Sequence, residues 1–262
     1  MITIKDLVKR FDSRTVLSGI NLEVRTGETL VIMGGSGCGK STLLRVLVGH
    51  YRPDEGEILF DGKDIAKMPE TQFDDVRKKF GILFQSGALL NSLNVGENVA
   101  LPLREHSKLN DDIIKIIVKI KLELVGLTGF ENLMPSQISG GMKKRVGLAR
   151  AIALDPQIVF YDEPGAGLDP ITTAVIDRLI VDLSKKLGIT SIVVTHEMAS
   201  AFRIADRMAM LYEGKVIEVG TPDEIRNSSN PYVQQFISGA ADGPIPLKRS
   251  REEYINSLTT GT

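Results

Sequence analysis

The sequence predicts an α/β fold: a parallel sheet flanked by helices, with an antiparallel β layer near its start and a helical insertion near its middle. Three observations predict it. Compact apolar runs, suited to strands buried on both faces, occur at 29–35 (TLVIMGG), 80–85 (FGILFQ), 157–163 (QIVFYDE) and 190–196 (TSIVVTH). Short, partly alternating β-branched runs stand at 2–8, 19–24 and 56–60, with glycine or charged turns between them. Between about 92 and 154 the pattern turns helical.

The elements follow in order. The three early alternating runs read as a mostly antiparallel sheet, and the run at 29–35 begins the central one. LLRVLVG (43–49) has the apolar period of a helix. In 111–124, Ile113, Ile116, Ile117, Ile120 and Leu124 fall on one face, which is the face expected to be buried, with Asn110 or Asp111 capping the start. A helix is expected over 171–187, ending before Gly188. The nucleus is therefore expected as 1–84 plus 156–237, interrupted by a helical subdomain at 85–155 and followed by a tail at 238–262. In that tail Pro244 and Pro246 favour an extended strap, with Ile245, Leu247 and Tyr254 as anchors.

Composition narrows the possible partners. The 262 residues, 42% hydrophobic, suffice for one α/β domain with an inserted subdomain or for two small domains. The 32 Lys and Arg against 33 Asp and Glu leave a net charge of -1, which gives no basic excess for a nucleic acid. A lone Cys38 excludes an internal disulfide framework and suits a reducing compartment, and MITIKDLVKRF lacks the apolar core of a signal peptide. No apolar run approaches the ~20 residues of a membrane span, so a role at a membrane is expected to pass through a partner, without direct insertion.

Gly34, Gly35, Ser36, Gly37, Cys38, Gly39, Lys40 and Ser41 fit G-x-x-x-x-G-K-[ST] between a buried strand and a helix, the context that makes the pattern a phosphate cradle. Glycines let backbone N–H groups wrap phosphates, Lys40 brings a point charge, Ser41 offers a hydroxyl to Mg²⁺, and Thr42 follows it in the site. IVFYDEP (158–164) ends a strand in two carboxylates that point to different faces. Asp162 is expected to hold Mg²⁺ through water and Glu163 to polarise an attacking water. His196 closes its strand at the same carboxyl edge, where parallel sheets bind ligands. A second cradle, ISGGMKKR (138–145), raises the question of why one chain carries two.

The order of P-loop, Gln85, ISGGM, IVFYDEP, GLD (167–169) and His196 resembles the nucleotide-binding subunits of ABC transporters across nearly the whole chain. The resemblance implies a P-loop NTPase of the ABC ATPase type that binds ATP and Mg²⁺ and hydrolyses the nucleotide. It implies that Gln85 senses Mg²⁺ and the γ-phosphate, that Phe11 stacks on adenine, and that Ser139, Gly140 and Gly141 grip the γ-phosphate held by a second copy of the chain. Two departures stand out: Met142 replaces the usual signature Gln, and Ala166 replaces the usual D-loop Ser. The segment 86–106 corresponds to the part that receives a membrane permease. There and at 238–247 the sequence resembles the ATPases of Mla and Mce lipid transport systems, which implies phospholipid transport between the membranes of a double-membraned bacterial envelope. The same resemblance implies a position at the cytoplasmic face of the inner membrane, a possible small regulatory subunit and no nucleic acid. Alternative readings are an ABC ATPase for another substrate or a soluble one acting on nucleic acid or ribosomes.

Overall fold

The computed structural model of the chain describes residues 1–246. Strands β1 (Ile2–Phe11) and β2 (Arg14–Val24) form an antiparallel hairpin, and β3 (Thr29–Met33) runs into α1 (Lys40–Leu47). Next, β4 (Glu55–Phe60) returns to the free edge of β1 and β5 (Lys63–Asp64) closes a four-stranded sheet, β2-β1-β4-β5. After α2 (Glu70–Arg77) and β6 (Phe80–Leu83) come three helices with no strand between them: α3 (Val95–His106), α4 (Asp111–Leu124) and α5 (Gly140–Ala151). The chain continues through β7 (Ile158–Asp162), α6 (Pro170–Leu187), β8 (Thr190–Val194), α7 (Met198–Ile204), β9 (Arg207–Tyr212) and β10 (Lys215–Gly220). It reaches α8 (Pro222–Arg226) and α9 (Pro231–Ser238) before the described residues end.

The second sheet has the order β10-β9-β3-β8-β7-β6 and is parallel except for β10. Its inner strands are apolar in their central residues because each faces two cores. Leu30, Ile32, Ile158, Phe160, Ile192 and Val194 pack with α1 and the antiparallel sheet. Their neighbours Val31, Met33, Val159, Tyr161 and Val193 point the other way, into the core shared with the helices. The sequence signals β9 only weakly, whereas β10 (KVIEVG) carries the β-branched Val216, Ile217 and Val219. RMAMLY has none of the β-branched residues that mark strands, although the Glu213-Gly214 turn, with both residues at positive φ, is a hairpin signal.

One expectation is overturned in part in α4, where Ile117 and Leu124 pack partly buried against the helix-side core but the rest of the expected face does not. Asn110 caps the helix by accepting from Ile113 N, but the buried side is Ile114, Val118, Lys121 and Leu122. Ile113, Ile116 and Ile120 are exposed, Ile116 by 59%. DDIIKIIVKIKLEL is apolar on two faces, so periodicity could not choose between them. The inward choice includes Lys121, whose stem lies in the core while its ammonium reaches Asp155.

The tail begins differently from an extended strap. After Gly239 ends α9 at φ 66°, residues 241–245 bend back over that helix. Gln235 clamps them: its Nε2 donates to the carbonyls of Ala240 and Ile245, and its Oε1 accepts from Ile245 N at 2.6 Å. Ile245 thus anchors the tail to its own chain, against the helix-side core. The other two expected anchors, Leu247 and Tyr254, lie outside the described residues.

Candidate functional site

Three neighbouring parallel strands, β3, β8 and β7, end at one edge of the second sheet, in register at Ile32, Val194 and Asp162. Loops carrying Gly34–Ser41, Asp162–Glu163 and His196 therefore leave the sheet side by side. In the first loop Lys40, only 8% exposed, turns its ammonium back on the loop, donating to Gly34 O at 2.7 Å and Gly35 O at 3.0 Å. Two of its three donors are used; the third is left for an anion. Gly34 is fixed by packing, since a Cβ there would lie 2.2 Å from Leu211 O at a φ of 151°. Gly35 and Gly37, by contrast, face open space. Cys38 is buried in the loop, and that burial pushes its thiol pKa up against the opposing pull of Lys40.

Beside this loop lies a cleft of about 240 Å³, lined by Gly37, Gly39, Lys40, Ser41 and Thr42 together with Arg14 and Val16 of β2. Phe11 is the cross-strand partner of Arg14 in the hairpin. Its ring is 37% exposed, meets the Tyr51 ring edge to face at 5.1 Å and lies under the Lys9 ammonium at 5.3 Å.

Ser41 Oγ donates to Asp162 Oδ1 at 3.4 Å. Burial raises the Asp162 pKa, opposed by that hydrogen bond and by Arg45 and Lys40, so a cation beside it would favour its charged form. Glu163 follows in the left-handed region, φ 49°. Its N–H donates to Val194 O at 2.9 Å, and its carbonyl accepts from Ala166 N and from Lys144 Nζ, both at 3.2 Å. Glu163 Oε1 stands 2.9 Å from His196 Nδ1. A carboxylate can only accept, so Nδ1 carries the proton. His196 N also donates to Glu163 Oε2 at 3.4 Å. Lys144 is buried on α5, and that burial lowers its pKa against the opposing charges of Glu163, Glu197 and Asp162.

Gln85 stands apart. It is exposed beyond β6, and no hydrogen bond of its side chain occurs among the described residues.

The second cradle also stands apart from the cleft, whose lining includes none of Ser139, Gly140 or Gly141. Ser139 caps α5, its hydroxyl accepting from Met142 N at 3.2 Å. The two glycines differ. A Cβ on Gly141 would meet Thr172 Cγ2 of α6 at 2.5 Å, whereas one on Gly140 would find only Leu168 Cδ2, at 3.8 Å. Gly141 is thus required by packing, and Gly140 leaves open room at a helix N-terminus. Met142 is half-buried against the helix-side core. Asp169 caps α6 by accepting from Ile171 N and Thr172 N, and hydrogen bonds led by that from the Thr172 hydroxyl hold its pKa low.

The structure therefore gathers Lys40, Ser41, Asp162, Glu163 and His196 at one sheet edge and leaves Ser139–Gly141 outside the lining of the cleft. Arg14, Val16 and Lys144 join the site without having been anticipated. A signal for Lys144 existed: it is spaced three and four residues from Gly141 and Leu148, on the buried side of α5.

A family model described as ABC transporter matches residues 17–166. Over 98% of this chain and 98% of the relative, the sequence is 44% identical to the intermembrane phospholipid transport system ATP-binding protein MlaF of Haemophilus influenzae. Over 96% of this chain and 73% of the relative, it is 43% identical to a probable ribonucleotide transport ATP-binding protein of Mycobacterium leprae. Among solved structures, the dimeric post-hydrolysis state of the ATP-binding cassette MJ0796 bound to ADP and Pi matches with a TM-score of 0.78. That match has 31% identity and covers 85% of this chain and 99% of the other.

Proposed function

The chain belongs to the ABC transporter family as one of its ATP-hydrolysing cassettes, and from that premise we propose that two copies close head to tail on two ATP molecules to drive phospholipid transport through a membrane permease. The observation that carries the substrate is the similarity to a phospholipid transport protein over 98% of both chains, well past the residues of the family match.

In this reading the P-loop glycines and Lys40 cradle the phosphates, Thr42 lies beside them, and Phe11 stacks on the base. Ser41 and Asp162 fit Mg²⁺, an ion that takes one or two protein oxygens and completes its shell with phosphate and water oxygens. When bound there, Mg²⁺ supplies charge neutralisation between the outer phosphates. Glu163 takes the proton of the attacking water, His196 holds that carboxylate through Nδ1, and Gln85 reports on the γ-phosphate from its exposed loop.

Ser139, Gly140 and Gly141 meet the ATP of the second copy. The open room at Gly140 supports this, as do the exposed apolar side chains of Ile171 and Val175 on α6, the helix that abuts Gly141. The chain's two cradles then serve different ATP molecules, each ATP lying between the first cradle of one copy and the second cradle of the other.

Among the described residues no helix is long and apolar enough to cross a membrane. The reading accordingly puts the chain at the cytoplasmic face of the inner membrane, held by a permease at 86–106. That segment borders a cleft of about 410 Å³ lined by Phe84, Ala88, Leu101, Pro102, His106 and Arg150. Buried Asn98 stiffens it, bonding to Leu90, Leu93 and Asn94 backbone groups. A small regulatory protein is the remaining partner in this reading. Exposed Ile113, Ile116 and Ile120 support it: each is about half exposed, so covering it gains about half of the roughly 1.5–3 kcal/mol of a fully exposed side chain.

The test is to purify the tagged chain from membranes, identify what comes with it, and assay the assembly in vesicles for ATP-dependent phospholipid movement. A permease and phospholipid movement are expected. Movement of ribonucleotides alone would favour the function named for the mycobacterial relative, and recovery with DNA or ribosomes would sink the transporter assignment.

A further inference from the structure

Glu163 holds a conformation its neighbours do not favour. A glutamate at φ 49° is in the left-handed region, and Pro164 after it favours an extended backbone. The conformation is held at both flanking peptides. On one side the N–H donates to Val194 O; on the other the carbonyl accepts from the nearby Ala166 N, a local turn, and from Lys144 Nζ. Lys144 is the one long-range partner of that carbonyl among the described residues, and it comes from α5, nineteen positions earlier in the chain.

Its own setting is unusual. Lys144 is 4% exposed and has Asp162, Glu163 and Glu197 around it, yet it forms no ion pair with a described carboxylate. Its hydrogen bond goes to a main-chain oxygen. A buried ammonium so placed acts on the backbone of Glu163, and through it on the direction of the carboxylate that meets His196 Nδ1 at 2.9 Å.

We propose that Lys144 is a positioning residue for hydrolysis: it holds Glu163 in the left-handed conformation that aims the carboxylate, and it fastens that residue to the helix opened by Ser139. The proposal rests on Glu163 being the base. On the trans arrangement of the cradles, it also gives a rigid link from the ATP gripped by α5 to the base that serves this chain's own ATP.

Lys144→Met removes the ammonium and keeps the stem. Misplacing a catalytic group costs rate and not nucleotide affinity, so kcat is expected to fall about tenfold or more while the KM for ATP stays within about twofold. Lys144→Arg, which still reaches the carbonyl, is expected to restore most of the rate. In a Glu163→Gln background the base is already gone, and Lys144→Met is expected to change the residual rate by less than about twofold. If Lys144→Met does not fold, Lys144→Gln serves the same comparison. A kcat within about twofold of the parent, or an equal loss in the parent and Glu163→Gln backgrounds, overturns the proposal. Failure of the underlying reading shows separately, as Glu163→Gln alone hydrolysing ATP at the parent rate.

Discussion

The chain opens two helices with glycines, and the two openings are built for different purposes. At α1 the loop is closed on itself: Lys40 bonds Gly34 O and Gly35 O, Gly34 abuts Leu211 O, and β2 supplies a wall through Arg14 and Val16. At α5 the helix is finished as a helix, capped by Ser139 and packed on α6 through Gly141, but Gly140 faces almost nothing of its own chain. The first opening is walled by its own chain and the second is not, and on the proposed trans arrangement the difference teaches that a cradle meant for a partner's phosphate is left uncovered by its own chain.

The largest expected effect separates chemistry from grip. Glu163→Gln keeps the phosphates cradled and removes the proposed base, so hydrolysis is expected to fall on the order of a hundredfold while ATP still binds. With ATP the variant is expected to run as a dimer in size-exclusion chromatography. A monomer would break the proposed trans role of α5. Next in size is Lys40→Ala, which removes a charge-assisted contact of about 1.5–3 kcal/mol, so ATP affinity is expected to drop at least about tenfold by equilibrium binding. Unchanged affinity would mean that the closed loop is only a turn.

A pair of glycine substitutions sharpens the contrast further. Gly34→Ala drives a Cβ into backbone and is expected to destabilise the fold. Gly140→Ala meets only Leu168 at 3.8 Å, and alanine favours a helix over glycine by up to about 1 kcal/mol. Thermal stability is therefore expected to hold or rise in Gly140→Ala while ATP-driven dimerisation and hydrolysis fall several-fold. If hydrolysis stays at the parent level, the open room at α5 is not used by phosphate.

How much of this could be read from the sequence depends on whether the chemistry lies along the chain or across it. Lys40 and Ser41 belong to one contiguous motif, and Asp162, Glu163 and His196 follow apolar runs whose parallel pairing puts their ends together. Those positions were legible because each closes a locally readable apolar strand, and parallel pairing, though long-range, brings the carboxyl ends of such strands to one edge. Arg14, Val16 and Lys144 reach the site only through packing between distant elements: nothing near Arg14 and Val16 announces it, and the helical spacing of Lys144 announces burial but not its partner. In α4 the obstacle was different. Both faces are apolar, so the choice of Ile114 and Val118 over Ile116 and Ile120 is made by the helices it packs against and not by its own sequence. Ile245, too, is held by Gln235 ten residues away, a clamp no composition rule suggests.

The smallest expected effect lies behind the site, where α6, which leads away from Asp169, touches α7, which follows His196. Asp177 of α6 is buried, with its carboxylate accepting from Ser200 Oγ at 2.5 Å and pairing with Arg203 at 3.2 Å. Burial raises its pKa more than Ser200 and Arg203 lower it. A raised carboxyl pKa means that the folded chain holds the proton more tightly than the unfolded chain does. The contribution to stability is therefore greatest in acid and declines as pH rises from the ordinary aspartate range through the raised value. The Asp177→Asn variant has no such proton to lose. The melting temperature of the parent minus that of Asp177→Asn is expected to shrink as pH rises from about 4 toward neutrality, the span beginning at the ordinary aspartate pKa. A difference that grows with pH would show the ion pair with Arg203 outweighing burial, and α6 and α7 would then be joined more by charge than by the protonated hydrogen bond.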